Sequence, residues 1–261
     1  MKWALALAVL LAGCASMEEA PGDAVRDLAP GGKLRAAINF GNPVLASRGA
    51  DGPQGVSVDL ARELARRLGV PVELVPFEAA GKVVDAGLAN VWDVAFVALD
   101  PKRAQDIAQS PPYVVIEGAY LVRGDSSIRA NDEVDRSGNR IVVGRNSAYD
   151  LFLTRNIRQA EIVRIQGSQY VVDYFLSNNL EVAAGVKQQL EFDAKRVSGL
   201  RLLPGRFMVI NQAMASQRGK PAGAAYVRAF IEEMKASGFV ARALERHRIQ
   251  GAAVAPPGDA R

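Results

Sequence analysis

Apolar positions in this chain switch between two rhythms, one with a period near 3.6 residues and one of short continuous runs. Val58, Leu60, Ala61, Leu64, Ala65 and Leu68 fall at helical spacing, with Arg62, Glu63, Arg66 and Arg67 opposite. That pattern predicts an amphipathic helix lying on a sheet, closed by Gly69. Lys33–Phe40 before it and Val70–Pro76 after it read as strands, so the opening is strand, helix, strand. A second helix is expected near Lys82–Asn90. It leads into Val94–Leu99, six apolar residues short enough and β-branched enough for a strand buried on both faces. Asp100-Pro101 then carries helix-start chemistry, an acidic N-cap followed by a proline whose missing N–H costs nothing. Lys102 and Arg103 are therefore expected in the first turn of a short helix at the carboxyl end of a strand. Ser110-Pro111-Pro112 breaks that helix before a further strand, Tyr113–Val122, in which Glu117 is embedded among apolar residues.

A polar, turn-rich segment from Gly124 to Gly138 separates this unit from a second α/β alternation. The second unit reads as strand Ile141–Val143, loop Gly144–Ser147, helix Tyr149–Arg155, strand Glu161–Ile165, helix Tyr170–Leu176 and strand Leu180–Ala184. Phe207–Ala215 is a further strand, and Ala222–Lys235 and Gly238–Arg248 are closing helices. No internal sequence repeat stands out beyond the shared α/β rhythm. The predicted fold class is α/β in two lobes.

The N-terminus has its own character. Met1-Lys2 is a charged start, Trp3–Ala12 an apolar stretch too short to span a bilayer, and Leu11-Ala12-Gly13-Cys14 follows at once. This resembles a bacterial lipoprotein signal, which implies lipidation of Cys14, export, and a protein held on the periplasmic side of a membrane. Cys14 is also the sole cysteine, so no intramolecular disulfide can form. Residues 14–32, with Pro21-Gly22 and Pro30-Gly31-Gly32, read as a tether, and 251–261 as a flexible tail.

Charge narrows the functions little. Thirty-two basic and 28 acidic residues are scattered along the 261-residue chain. No basic run is interleaved with aromatics, which argues against a nucleic-acid partner. No metal constellation, Ser-His-Asp set or phosphate-cradling glycine loop is present, and His247, the sole histidine, lies in a closing helix. The feature with chemistry is the corner at Arg103, where a guanidinium able to grip a carboxylate bidentately follows a buried strand. By itself, an arginine in such a place is more often a solvated surface residue.

The ordered set KLRAAINF, GVSVDLARELARRLGVPVELV, LDPKRAQDIAQSPPYVV and GNRIVVGRNSAYDLF resembles the family-3 extracellular solute-binding proteins. These are type II periplasmic binding proteins serving ABC importers of polar amino acids, and the likeness runs from about Lys33 to Gln250. It implies two lobes, each a central sheet flanked by helices, joined by two hinge strands. Residues 33–123 and 206–250 would form the first lobe and 124–205 the second, with the ligand held between them by hinge closure. It further implies an ABC permease as partner, a monomer, no cofactor, and a small carboxylate-bearing solute.

Carried over by position, the resemblance places Arg103 on the ligand carboxylate. Phe96 and Ala98 fall on the adjoining strand, and Asn146 and Ser147 on the second lobe's turn; a local N-cap is the alternative for Ser147. Asn39 stands where many members have an acidic residue, and Asn42 and Ala79 replace the usual aromatic residues, with Phe77 nearby. The acid that meets the ligand's ammonium aligns with Val186, so either the ligand is not an ordinary α-amino acid or another acid does that task; Glu78 and Glu117 are the candidates, each also readable as a structural residue. Two other readings stay open on the same fold. One is a periplasmic enzyme of the cyclohexadienyl-dehydratase type, with Glu78 or Glu117 as acid or base; the other is a receptor for a sensory partner.

Overall fold

A computed structural model describes residues 20–258; the lipoprotein signal and Cys14 lie outside them. One ten-stranded mixed sheet runs through the molecule, and helices cover both of its faces. The strands are β1 (Leu34–Asn39), β4 (Val72–Phe77), β5 (Val94–Ala98), β6 (Ile107–Arg123), β7 (Arg140–Gly144), β8 (Glu161–Ile165), β9 (Val182–Val186), β10 (Leu200–Leu202), β11 (Met208–Gln217) and β12 (Ala253–Val254). The main path is β4-β1-β5-β11-β6-β9-β7-β8, with β10 and β12 also paired to β6. A small hairpin of β2 (Ser47–Gly49) and β3 (Gly52–Gln54) stands apart. The eight α-helices among the described residues are α1 (Gly22–Leu28), α2 (Val56–Leu68), α3 (Ala80–Leu88), α4 (Ala148–Asn156), α5 (Val171–Ser177), α6 (Lys187–Arg196), α7 (Pro221–Ala236) and α8 (Phe239–Arg246).

The apolar residues divide into cores on either side of the long β6–β11 pair. Leu34, Ile38, Leu60, Leu64, Phe96, Tyr113, Met214, Phe230 and Ile231 share one core, and Trp92 with Val83 and Ile107 occupies the opposite face of the same half. Tyr120, Ile141, Tyr149 and Leu153 build a core in the other half, with Leu121, Val142, Phe175 and Leu190 behind them. Two lobes result, in the manner of type II periplasmic binding proteins.

The same local device starts the sheet in each lobe. Arg35, on β1, donates from its backbone N–H and Nε to Asp93 Oδ2 at 2.9 and 3.0 Å and from Nη2 to Oδ1 at 2.7 Å. Arg140, on β7, does the same to Glu181, with three bonds of 2.9 Å. Each guanidinium also reaches the carbonyl of an asparagine with positive φ, Asn90 and Asn179 respectively. In both lobes this fork clamps the start of the central strand to the turn before the third strand. The sequence pattern alone does not expose this likeness, because the acids differ and the spacing from arginine to acid is 58 residues in one lobe and 41 in the other.

Several expectations are corrected. The tether assigned to 14–32 contains α1 within its described part; Ala24 and Leu28 are buried against the first lobe, and Gly223 on α7 donates its N–H to Asp27. The tail assigned to 251–261 includes β12, with Ala253 and Val254 paired to Val115 and Val114 and Ala255 buried. Ser110-Pro111-Pro112 does not interrupt the chain. β6 passes straight through it, and the ladder to β11 shifts register beside Pro112, which accommodates residues that have no N–H to donate. The short helix expected after Asp100 shrinks to one 3₁₀ turn, Arg103–Gln105, so a helix dipole contributes little there. Helix α6 and strand β10 were not anticipated.

The clamp on β1 is testable. Asp93 is buried, and Arg35→Met would strand its carboxylate, so the variant should lose about 2–3 kcal/mol of stability in urea denaturation followed by circular dichroism.

Candidate functional site

The carboxyl ends of β1 and β5 and the first turn of α4 converge on a cleft between the lobes. Its lining includes Asn39, Gly41, Asn42, Ala98, Arg103, Ser147, Tyr149, Ser168, Val186 and Gln212. The space not filled by protein atoms is about 370 Å³, part of it open to solvent. The fold explains this placement. β5 is buried along its whole length and stops at Ala98, where Asp100 Oδ1 accepts from the Lys102 N–H at 2.8 Å and turns the chain sharply. Arg103 therefore projects back beneath the strand end instead of outward.

Arg103 is buried, with 3% of its surface exposed. Its Nη1 donates to the Ala98 carbonyl at 3.0 Å and its Nη2 to the Asn146 carbonyl of the second lobe at 2.8 Å. Burial depresses its pKa to about 10, partly offset by the charge of Asp100, so the guanidinium stays cationic at neutral pH. Asp100 has its own partner, Arg155 on α4, at 2.9 Å. Both contacts link the β5 end to the loop and helix that follow β7, so the lobes are drawn together.

The second lobe's face is made of hydroxyls and a helix start. Ser147 caps α4, its Oγ accepting from the Asp150 N–H at 3.0 Å. The local N-cap role is thus present in the structure, at a residue that also lines the cleft. Tyr149 is buried beside Ser168 and Ser147, and burial raises its phenol pKa. From the first lobe come three neutral amides. Asn39 Oδ1 accepts from the Gly41 N–H at 3.0 Å. Asn42 is buried, and its Oδ1 has no hydrogen-bond partner. Gln212, on β11 opposite Ala98, is buried as well.

Of the sequence candidates, Asn39, Asn42, Ala98, Arg103 and Ser147 come together in this cleft, and Val186 borders it. The others do not. Phe96 packs into the first lobe's core, edge-on to Tyr113 with centroids 6.0 Å apart. Asn146 contributes its carbonyl to Arg103, while its side chain lies against Gly81 and borders a neighbouring crevice. Glu78 pairs with Arg48 at the surface. Glu117 is held below the usual carboxylate range by Arg206 and Lys187 and sits between them, at 2.7 and 2.9 Å. His247 bonds Asp59 at 2.8 Å on the back of the first lobe. Gln212, Tyr149 and Ser168 were missed. Gln212 carried a signal, a large amide leading directly into the apolar run Ala213-Met214-Ala215, whereas Ser168 carried no such mark.

Gly81 on α3 marks where the lobes touch. A Cβ built there would stand 2.6 Å from Asn146 Cβ across the cleft. Overpacking of this kind costs about 1–3 kcal/mol, and opening the cleft relieves it. Gly81→Ala should therefore show a larger radius of gyration in small-angle scattering, with an unchanged circular dichroism spectrum.

Comparisons with known proteins follow the same lines. The family model for bacterial extracellular solute-binding proteins, family 3, matches residues 34–249. The solute receptor for L-cysteine of Neisseria gonorrhoeae superposes with a TM-score of 0.74 at 22% identity, covering 85% of this chain and 92% of that one. A mutant of ArgBP from T. maritima gives 0.73 at 20% identity, covering 85% and 98%. The ancestral amino acid-binding protein AncCDT-1, a precursor of cyclohexadienyl dehydratase, gives 0.72 at 18%, covering 85% and 97%. At these identities the likeness is one of fold. Among curated sequences, membrane-bound lytic murein transglycosylase F of Vibrio cholerae is 29% identical over 116 residues, 44% of this chain and 22% of that protein. Its counterpart in Idiomarina loihiensis is 32% identical over 105 residues, 40% of this chain and 23% of that protein. The matched part thus spans less than a quarter of these relatives.

Proposed function

This chain belongs to the bacterial extracellular solute-binding proteins of family 3, and from that premise we propose that it captures a small carboxylate-bearing solute between its lobes and delivers it to an ABC permease. The Leu11-Ala12-Gly13-Cys14 sequence supports lipid anchoring at Cys14 on the periplasmic side of a bacterial membrane, with the protein acting as a monomer. No helix of the described residues is long and apolar enough to cross a membrane. One observation carries the reading. Arg103 is a buried cation facing a cleft, and the side chain's hydrogen bonds go to carbonyl oxygens, not to a carboxylate. Carbonyl dipoles orient a guanidinium without neutralising it, and an anion entering the cleft would complete the site with a charge-assisted, bidentate contact.

The mechanism follows from the geometry. A ligand touching Arg103 from one side and the α4 start from the other stabilises only the form in which the two approach, so occupancy shifts the population toward closure. A binding role also fits better than a dehydratase. Such chemistry requires an acid or base poised in the cleft, yet Glu78 and Glu117 are both engaged with basic side chains outside its lining.

Thermal unfolding of the full chain against amino acids, amines and small organic acids should identify a ligand. At a hundredfold excess over its Kd, such a ligand should stabilise the protein by about 2.7 kcal/mol. Arg103→Ala should abolish that stabilisation while leaving the ligand-free protein folded by circular dichroism; unchanged stabilisation would remove the assignment. The pH dependence has a defined sign. Binding requires a protonated guanidinium and an ionised carboxylate, so affinity measured by calorimetry should stay flat from pH 6 to 9 and weaken as pH rises through the Arg103 value of about 10.

A further inference from the structure

We propose that the solute is a small monocarboxylate whose second polar group is a neutral hydroxyl or amide, and that the cleft discriminates against the matching α-amino acid. The inference rests on the reading of this cleft as a solute site and deepens it. Its ground is charge balance within the lining. Arg103 supplies the formal charge there, and the other polar side chains are the amides of Asn39, Asn42 and Gln212 and the hydroxyls of Ser147, Tyr149 and Ser168. A monoanion entering this space cancels the guanidinium and leaves the buried site neutral. A zwitterionic amino acid brings no net charge, so the closed site would retain an uncompensated cation, and its ammonium would face neutral partners only.

The acids around the lining have basic partners of their own, and the Asp100 charge that acts on Arg103 is shared with one of them; Asp150, buried at the start of α4, is paired with Arg164. Asp100 belongs to Arg155, Glu117 to Lys187 and Arg206, and Glu78 to Arg48. A second crevice adjoins the cleft along Gly41, Tyr149, Ser168 and Val186 and is bordered by Asp193. That carboxylate is already committed, with Oδ1 accepting from Arg196 and Oδ2 from Gln189.

Asn42 gives the positive half of the argument. The residue lines the cleft, and its Oδ1 is buried with no hydrogen-bond partner. An orphaned acceptor of this kind is costly until a donor arrives, and a ligand hydroxyl or amide N–H supplies one without adding charge. Val186 closes the same region with an apolar surface at the start of α6.

Matched pairs with one carbon skeleton test this directly. Calorimetric titration of the full chain would compare L-lactate with L-alanine, 2-hydroxyisovalerate with L-valine, 2-hydroxyisocaproate with L-leucine and 3-phenyllactate with L-phenylalanine. In the pairs that bind, the hydroxy acid should be favoured by about tenfold or more. Equal or tighter binding of the amino acid would overturn this inference while leaving solute capture intact; binding by neither series would overturn both. Val186→Asp introduces a carboxylate at an N-cap position that tolerates aspartate, and Asn42→Asp introduces one at nearly constant volume. Each should move the preference toward the amino acid. An unchanged preference in both folded variants would show that cleft charge does not set the selectivity.

Discussion

A buried guanidinium without a carboxylate partner, set at the base of the cleft, is the constraint around which this molecule is arranged. Taking a cation out of water is expensive, and proteins tolerate it where geometry supplies compensation. For Arg103 the compensation comes from two carbonyl oxygens, one at the end of β5 and one from the loop that precedes α4. The first fixes the side chain to its own lobe. The second makes the cation a link between lobes, so the group proposed to recognise an anion would also contribute to closure.

The surroundings are built to hold that group still. β5 is buried throughout and flanked by β1 and β11, so the strand end cannot drift. Asp100 is buried too, spending one oxygen on the Lys102 N–H and the other on Arg155 of the opposite lobe. The forks of Arg35 on Asp93 and Arg140 on Glu181 pin the starts of β1 and β7, the first strand of each lobe and the one that runs toward the cleft. Rigid strands with a pre-oriented arginine reduce the side-chain entropy that ligand binding would otherwise cost. β6 runs from one lobe into the other, paired to β11 from Ile107 to Gly118 and to β9 from Gly118 to Leu121, so one strand is shared by both halves of the sheet.

Much of this was legible in the sequence because it depends on local periodicity. The helix α2 and the buried strand β5 follow from the spacing of Val58 to Leu68 and from the run Val94–Leu99. The burial of Arg103 was not legible from its own surroundings, where an arginine is more often a solvated surface residue; the resemblance alone placed it at the cleft. What failed depends on tertiary context. Pro111 and Pro112 look like a break, yet β6 absorbs them through a register shift against β11 that only the partner strand defines. The segment from Gly22 to Leu28 looks like linker because it is short and flanked by Pro and Gly, but Ala24 and Leu28 find a groove against α7. Glu117 looked functional because a carboxylate stood among apolar residues. Lys187 and Arg206, distant in sequence, reach it and account for it. Phe96 lies on the same face of β5 as Ala98 but two residues further from the strand's end, inside the first lobe's core, and an apolar run on both faces does not mark where core gives way to cleft.

The contacts already made between the lobes also limit how strongly any solute can act. Two of the five Arg103 N–H donors are engaged by carbonyls before a ligand arrives, one of them across the cleft. The Asp100–Arg155 pair likewise spans the lobes, although Arg155 is nearly half exposed and its attraction is screened by solvent. Closure therefore has favourable terms of its own, and a ligand need supply only the remainder. A ligand's effect on the equilibrium is bounded by the difference in its affinity for the two forms. In this cleft that difference resides in the contacts that exist only when α4 approaches Arg103. A carboxylate placed between the guanidinium and the start of α4 makes all of them at once, whereas a solute gripped by the first lobe alone would bind without moving the lobes.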